Sequence, residues 1–180
     1  MRKLKELTSK RNKTDSDLEL IADVEWLGSW YYRNNEVEFA ISQNSIVLGD
    51  HGEAVMPMSN LLSTLIAAAK KNKLGNQFKS GVFIEDDATL LYSPKKSIAQ
   101  ALTDRDLRYQ SMERVQSAKV LRTRPYLKTW EFDFTVNYDD TIVTQSQIEQ
   151  SLDIGGRLIG FCDRRPTNGR FKAEILNGKK

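Results

Sequence analysis

The sequence has little of what cross-linked proteins and most hydrolytic enzymes draw on. It holds one cysteine, Cys162, and one histidine, His51, in 180 residues. A single thiol excludes an internal disulfide framework and a cysteine-rich zinc site. A single histidine removes most histidine-based metal and triad chemistry. His51 sits in Gly49-Asp50-His51-Gly52 as the one candidate histidine base, with no evident nucleophile partner. No phosphate-binding P-loop and no G-x-S-x-G elbow is present. Long apolar runs are missing too. The longest, near Leu61–Ala69, is interrupted by Ser63 and Thr64, far short of the roughly 20 residues a membrane span needs. The basic residues Arg2, Lys3, Lys5, Lys10, Arg11 and Lys13 are not followed by an apolar segment, so no secretory signal is expected. With the lone thiol, this leads to a cytoplasmic expectation. Charge of one sign is scarce as well: 27 Lys and Arg stand against 24 Asp and Glu, a net of +3. A polyanion-binding protein of this composition has to concentrate its cations locally.

What is there is an ordinary mixture for one domain, 39% apolar and 28% charged. The expected organisation is a basic flexible arm over 1–17 and a single domain over 18–180. Leu20, Ala22, Val24 and Trp26 alternate with Ile21, Asp23 and Glu25, which predicts a strand within 18–26. Arg33-Asn34-Asn35 is a turn signal, and Val37, Phe39 and Ile41 predict the second arm of a hairpin. Pro57 suits the first turn of a helix. Met58, Leu61, Leu62, Leu65, Ala68 and Ala69 recur at helical spacing, with lysines in the last turn and Gly75 as the stop. Val82–Ile84 and Leu90–Tyr92 read as a hairpin around Glu85-Asp86-Asp87. Residues 94–117 are weakly periodic, a short helix or an inserted flap. A strand over 118–124 ends at Pro125. Trp130, Phe132, Phe134, Val136 and Tyr138 alternate with polar residues and predict one long strand. Thr144-Gln145-Ser146-Gln147 is a capping box opening a helix over 145–160, and Phe171, Ala173 and Ile175 predict a final strand. Strand, helix, strand, strand, helix, strand is the order of an α+β, ferredoxin-like split βαβ unit: two main helices on an antiparallel sheet, with extra hairpins.

Cations gather in two segments. Arg122, Arg124 and Lys128 lie in the first, with Tyr126 among them. Arg157, Arg164, Arg165, Arg170 and Lys172 lie in the second, where Gly155, Gly156, Gly160 and Gly169 permit close approach and turns. Arginine and lysine in such density suit phosphate contacts, and Tyr126 or the Trp30–Tyr32 cluster suits base stacking. The leading expectation is a non-enzymatic protein binding single-stranded DNA or RNA through these nine residues, with no catalytic residue, metal or cofactor. A second is a protein-interaction module, an accessory or anti-defence factor or a subunit of an oligomer, anchored by Trp26, Trp30 and Tyr31. A third is a metal-dependent nuclease using Asp86-Asp87 and Asp139-Asp140. Cys162, beside Arg164, reads as a buried inert thiol or as one activated by the arginines.

Two resemblances bear on this. Met56-Pro57-Met58-Ser59-Asn60-Leu61-Leu62, followed by Ala67-Ala68-Ala69-Lys70, resembles the first helix of the RAMP superfamily, the ferredoxin-like RNA-binding proteins of CRISPR effector complexes. Arg122-Thr123-Arg124-Pro125, Trp130, Gly156-Arg157, Asp163-Arg164-Arg165-Pro166 and Gly169-Arg170-Phe171 are similar to motifs of small bacteriophage proteins of uncharacterised role, over about residues 55–176. Together they imply a phage or prophage protein that binds nucleic acid through its sheet and basic loops or, on the second expectation, a phage accessory or anti-defence module whose partner is a host or phage protein.

Overall fold

The computed structural model describes residues 2–33, 39–42, 45–49, 52–115 and 118–176. His51, the Asn34-Asn35 turn and Val37 lie outside them. The helices are α1 (Arg2–Ser9), α2 (Asp15–Leu27), α3 (Met58–Ala69), α4 (Gly75–Gly81), α5 (Ile98–Thr103) and α6 (Gln145–Ile154). The strands are β1 (Phe39–Ser42), β2 (Ser45–Leu48), β3 (Val55–Met56), β4 (Val82–Ile84), β5 (Ala88–Thr89), β6 (Leu91–Ser93), β7 (Arg108–Val115), β8 (Ala118–Pro125), β9 (Thr129–Glu131) and β10 (Val136–Tyr138). The chain is α+β. Among the described residues the strands pair only in twos, so the four-stranded sheet of the sequence expectation is not among the pairings. No helix of the described residues is long and apolar enough to cross a membrane.

The chain divides into two compact units, Met1–Val55 with Thr89–Phe132 and Met56–Ala88 with Asp133–Lys180. The sequence reading has instead a single domain over 18–180. In the first unit, residues expected to form a flexible arm contain α1, with Leu7 buried, and Lys10 Nζ meets Asp17 Oδ1 at 2.8 Å. The expected strand at 18–26 is the helix α2. Thr14 accepts the Asp17 N–H while Asp17 accepts the Thr14 N–H, a capping box that opens the helix. Leu20, Ala22, Val24, Trp26 and Leu27 are all buried. A helix covered over so wide an arc shows an apolar residue at nearly every second position, which mimics a strand. Trp26 and Trp30 meet edge to face in a core completed by Leu27, Ile98, Ala101 and Leu107. The Trp26 indole N–H donates to the Leu107 carbonyl at 3.0 Å, so its polar atom is satisfied inside the core. Residues 94–117 hold α5, opened by a Ser97–Gln100 capping box, and the long strand β7, whose register with β8 runs from Arg108↔Pro125 to Val115↔Ala118.

In the second unit α3 forms where the spacing predicts it. Pro57 at its N-cap has no side chain to cap with, and Asp87 Oδ1 accepts the Met58 N–H at 2.9 Å instead. The helical stretch stops at Lys73, whose φ of 63° is left-handed, and Gly75 opens α4 rather than ending the previous turn. Leu61, Leu65, Ala68 and Ala69 of α3 are buried, as are Ile148 and Leu152 of α6. The α6 capping box forms as expected, with Thr144 accepting from the Gln147 N–H. Beyond Ile154 the backbone widens into a π-turn over Gly155–Ile159. A Cβ on Gly156 would collide with the Phe171 carbonyl, and the Phe171 N–H donates to the Gly156 carbonyl at 3.2 Å. The glycine therefore admits the 171 segment against the π-turn.

Two strand expectations are corrected. The alternating stretch 130–138 is not continuous: β9 pairs with β6, residues 132–135 carry no regular structure, and β10 pairs with β4. Val82–Ile84 thus pairs with Val136–Tyr138, not with Leu90–Tyr92. Residues 170–176 have no strand partner and no regular structure.

Candidate nucleic-acid interface

The cations of the first segment are engaged inside the first unit. β8 turns its Thr123 N–H toward α2, where Glu25 Oε2 accepts it at 2.8 Å. The other oxygen of Glu25 meets Arg122 Nη1 at 2.5 Å and Arg124 Nη1 at 3.6 Å. Arg124 also donates to the Ser29 hydroxyl at 3.3 Å. Covering a strand edge with a helix carboxylate removes a template for unwanted pairing and places the carboxylate between two guanidinium groups. Hydrogen bonding to Glu25 raises the Arg122 pKa above its ordinary value. One strand away, Arg108 contacts Asp23 at 2.6 Å, donates to the Leu102 carbonyl, and lies over the Trp26 ring at 5.7 Å. Burial pushes the Asp23 carboxyl above its ordinary value, against the pull of Arg108. Lys128 lines a cavity of about 160 Å³ with Lys96, Asp104 and Asp106. Lys96 Nζ stands 2.5 Å from Asp104 Oδ2, and this bond is the main reason that the Asp104 pKa is lowered, with Lys128 adding a smaller pull. Tyr126 is 38% exposed, with its ring 6.0 Å from that of Tyr109.

The aromatic expectations separate in the same way. Trp26 and Trp30 are buried in the core and are not interface anchors, nor is Trp30 open to a base; Tyr31 is exposed. Burial drives the Tyr32 hydroxyl well above its ordinary pKa.

In the second unit, Phe161 and Phe171 stack at 4.4 Å, and the Phe161 N–H donates to the Gly169 carbonyl at 2.9 Å. These contacts close residues 161–169 into a compact loop. Within it the Asn168 N–H donates to the Arg164 carbonyl at 3.0 Å, and Arg170 Nε donates to the Pro166 carbonyl at 2.9 Å. Cys162 and Arg164 hold φ of 61° and 60°, a conformation rare outside glycine and costing on the order of 1 kcal/mol each. The Arg165–Pro166 bond is cis. Arg164, Arg165, Arg170 and Lys172 are all exposed. Arg157, on the π-turn, is gripped by Asp153 through Nε at 3.0 Å and Nη2 at 2.5 Å. Cys162 is exposed, not buried. The packed loop still desolvates its sulfur and, with Asp163, pushes the thiol pKa up against the opposing pull of Arg165. It is not an activated nucleophile.

The structure thus places Arg122, Arg124, Tyr126 and Lys128 in one unit and Arg157, Arg164, Arg165, Arg170 and Lys172 in the other. Of these Arg164 and Arg165 lie on the closed loop 161–169, and Arg170 and Lys172 follow directly on it. Sequence reasoning missed Glu25 as the partner of the first segment, because the contact joins residues 97 positions apart. The acidic pairs also have local duties: Asp87 caps α3, and Asp139 accepts the N–H and hydroxyl of Thr141, which lowers its pKa. Among the described residues no three His, Cys, Asp or Glu side chains are grouped to hold a metal ion. No family model, no curated protein and no solved structure matches this chain.

Proposed function

We propose that this chain is a non-enzymatic nucleic-acid-binding protein of phage or prophage type, holding the phosphate backbone of single-stranded DNA or RNA on the loop from Cys162 to Lys172. The observation that carries the reading is that loop: a turn closed over 161–169, with positive φ at Cys162 and Arg164, on which Arg164 and Arg165 are exposed, followed by the exposed Arg170 and Lys172. Strained backbone held rigid by its surroundings is characteristic of ligand clamps. Clustered guanidinium groups suit phosphate, which they meet with paired donors. The motifs similar to small bacteriophage proteins, Asp163-Arg164-Arg165-Pro166 and Gly169-Arg170-Phe171, fall on this same loop. Arg122, Arg124 and Arg157 leave the proposed contact set, since Glu25 and Asp153 hold them. The finer fold reading, a ferredoxin-like split βαβ unit, draws support from the antiparallel β4–β10 pair alone.

The test is binding of a labelled single strand across a salt series, with Arg164→Ala/Arg165→Ala as the variant. Affinity falling steeply with salt, and falling less steeply in the variant, supports the reading. Binding that is absent at low salt, or indifferent to the variant, removes it.

A further inference from the structure

The β7–β8 ribbon of the first unit carries a charge arrangement that its own fold does not use. In its register Arg114 stands directly opposite Lys119, and Met112 directly opposite Leu121. Residues two apart along a strand share a face, so the cationic pair and the apolar pair lie on one side of the ribbon. All four side chains are exposed, Met112 by 62% and Leu121 by 47%. Directly opposed like charges destabilise a strand pair, and exposed paired apolar side chains contribute little to folding. Nearer the base, the same face carries Gln110, which donates to the Thr123 hydroxyl at 3.2 Å. Here the ribbon is anchored, since Thr123 is buried and Glu25 holds its N–H. Beyond this anchor none of Met112, Glu113, Arg114, Lys119, Val120 and Leu121 is buried.

We propose that this face of the ribbon binds duplex nucleic acid by entering a groove, Arg114 and Lys119 meeting phosphates and Met112 and Leu121 lying against base edges. The dimensions agree. A B-form major groove is about 12 Å wide and about 8.5 Å deep and admits a two-stranded ribbon. Paired strands are about 4.8 Å apart, so the ribbon is narrow enough to lie face-down in the groove, with the side chains of this face directed at its floor. Phosphates on either side relieve the repulsion between Arg114 and Lys119, and apolar side chains find thymine methyl groups on the floor. A protein surface would cover Met112 and Leu121 equally well but would have to neutralise the cationic pair beside them, so the charge pattern selects a polyanion. The inference extends the nucleic-acid reading to duplexes. It stands on residues of the other unit and does not require the arginine loop.

The experiment measures anisotropy of a labelled B-form duplex and of a labelled single strand with the full chain. The variants are Arg114→Ala/Lys119→Ala, Lys119→Glu and Arg164→Ala/Arg165→Ala. Removing the ribbon cations lowers the salt slope for the duplex by about 1.8 and its low-salt affinity by about tenfold or more, while single-strand binding is unchanged. Lys119→Glu turns the repulsive pair into an attractive one, so the protein melts no lower than wild type yet loses the duplex. Duplex binding that survives both ribbon variants overturns this inference and leaves the loop reading intact. Loss of single-strand binding alone in the loop variant confirms that the two sites are separate. No binding of either nucleic acid at low salt overturns both. A stable dimer in light scattering that Met112→Ser/Leu121→Ser dissociates, with no duplex binding, assigns the face to a second copy of the chain and overturns the inference.

Discussion

Glu25 Oε1 stands 2.5 Å from Arg122 Nη1, and the second oxygen of the same carboxylate accepts the neighbouring Thr123 N–H. This relationship divides the basic residues of the chain. An arginine that appears in sequence as a phosphate contact is, in the fold, the means by which β8 is fastened to α2.

The fastening is a stability element. Glu25→Ala removes the carboxylate shared by Arg122, Arg124 and the Thr123 N–H. The expected loss is about 2 kcal/mol, in the range of hydrogen bonds to charged groups. Urea denaturation checks this. Glu25→Gln keeps an acceptor but not the charge, and falls between wild type and alanine.

The π-turn gives a paired prediction. Gly156→Ala drives a methyl group into the Phe171 carbonyl and destabilises by about 2 kcal/mol. At Gly155 the nearest atoms are Phe171 Cζ at 3.4 Å and Thr64 Cγ2 at 3.5 Å. A methyl group fits there, and the gain in helix propensity offsets the tight packing, so Gly155→Ala stays within about 1 kcal/mol of wild type. Thermal melting of the two variants side by side distinguishes the positions.

Asp17 sets a pH dependence. Lys10 and the Thr14 cap hold its carboxyl down at about 2, against about 3.9 in an unfolded chain. A depressed carboxylate contributes stability that is complete above the unfolded value and is lost as pH falls toward the folded one. The urea midpoint of the wild type therefore falls between about pH 4 and pH 2 more steeply than that of Asp17→Asn.

Asp87 caps a helix that its own N-cap proline cannot. Asp87→Ala costs about 1 kcal/mol, and Asp87→Asn, which retains an acceptor oxygen, recovers most of it. The measurement is again chemical denaturation. A loss confined to metal binding, with stability unchanged, would return Asp86-Asp87 to the nuclease reading.

Local signals were legible and long-range ones were not. The spacing of Leu61, Leu65 and Ala68 identified α3, and Thr144 with Gln147 marked the start of α6. The helix stop was misplaced by two residues because Lys73, not Gly75, takes the left-handed conformation. The alternation at 130–138 is real in the sequence, but the chain leaves one strand pair and enters another at its middle, a choice made by β6 and β4 rather than by the stretch itself. β7 escaped notice because its half-buried face carries Ser111 and Glu113 while Met112 lies on its exposed face, so no hydrophobic alternation is there to read. For the site, the density of arginine around 164–172 pointed to the loop, whereas the pairing of Arg122 and Arg124 with Glu25 depends on the folding of a distant helix.

Arg157 supplies the control for the central claim. Its bidentate grip on Asp153 is solvent-exposed, a kind of pair that contributes little to stability. Arg157→Gln should leave both stability and single-strand affinity close to wild type.

The most direct measurement is the slope of log affinity against log salt for a labelled single strand. Each phosphate neutralised contributes about 0.7 to the slope, so contacts by Arg164, Arg165, Arg170 and Lys172 give about 3. The account predicts that Arg164→Ala/Arg165→Ala halves it while Arg157→Gln leaves it unchanged. An equal slope in all three proteins, or no binding at the lowest salt, contradicts it.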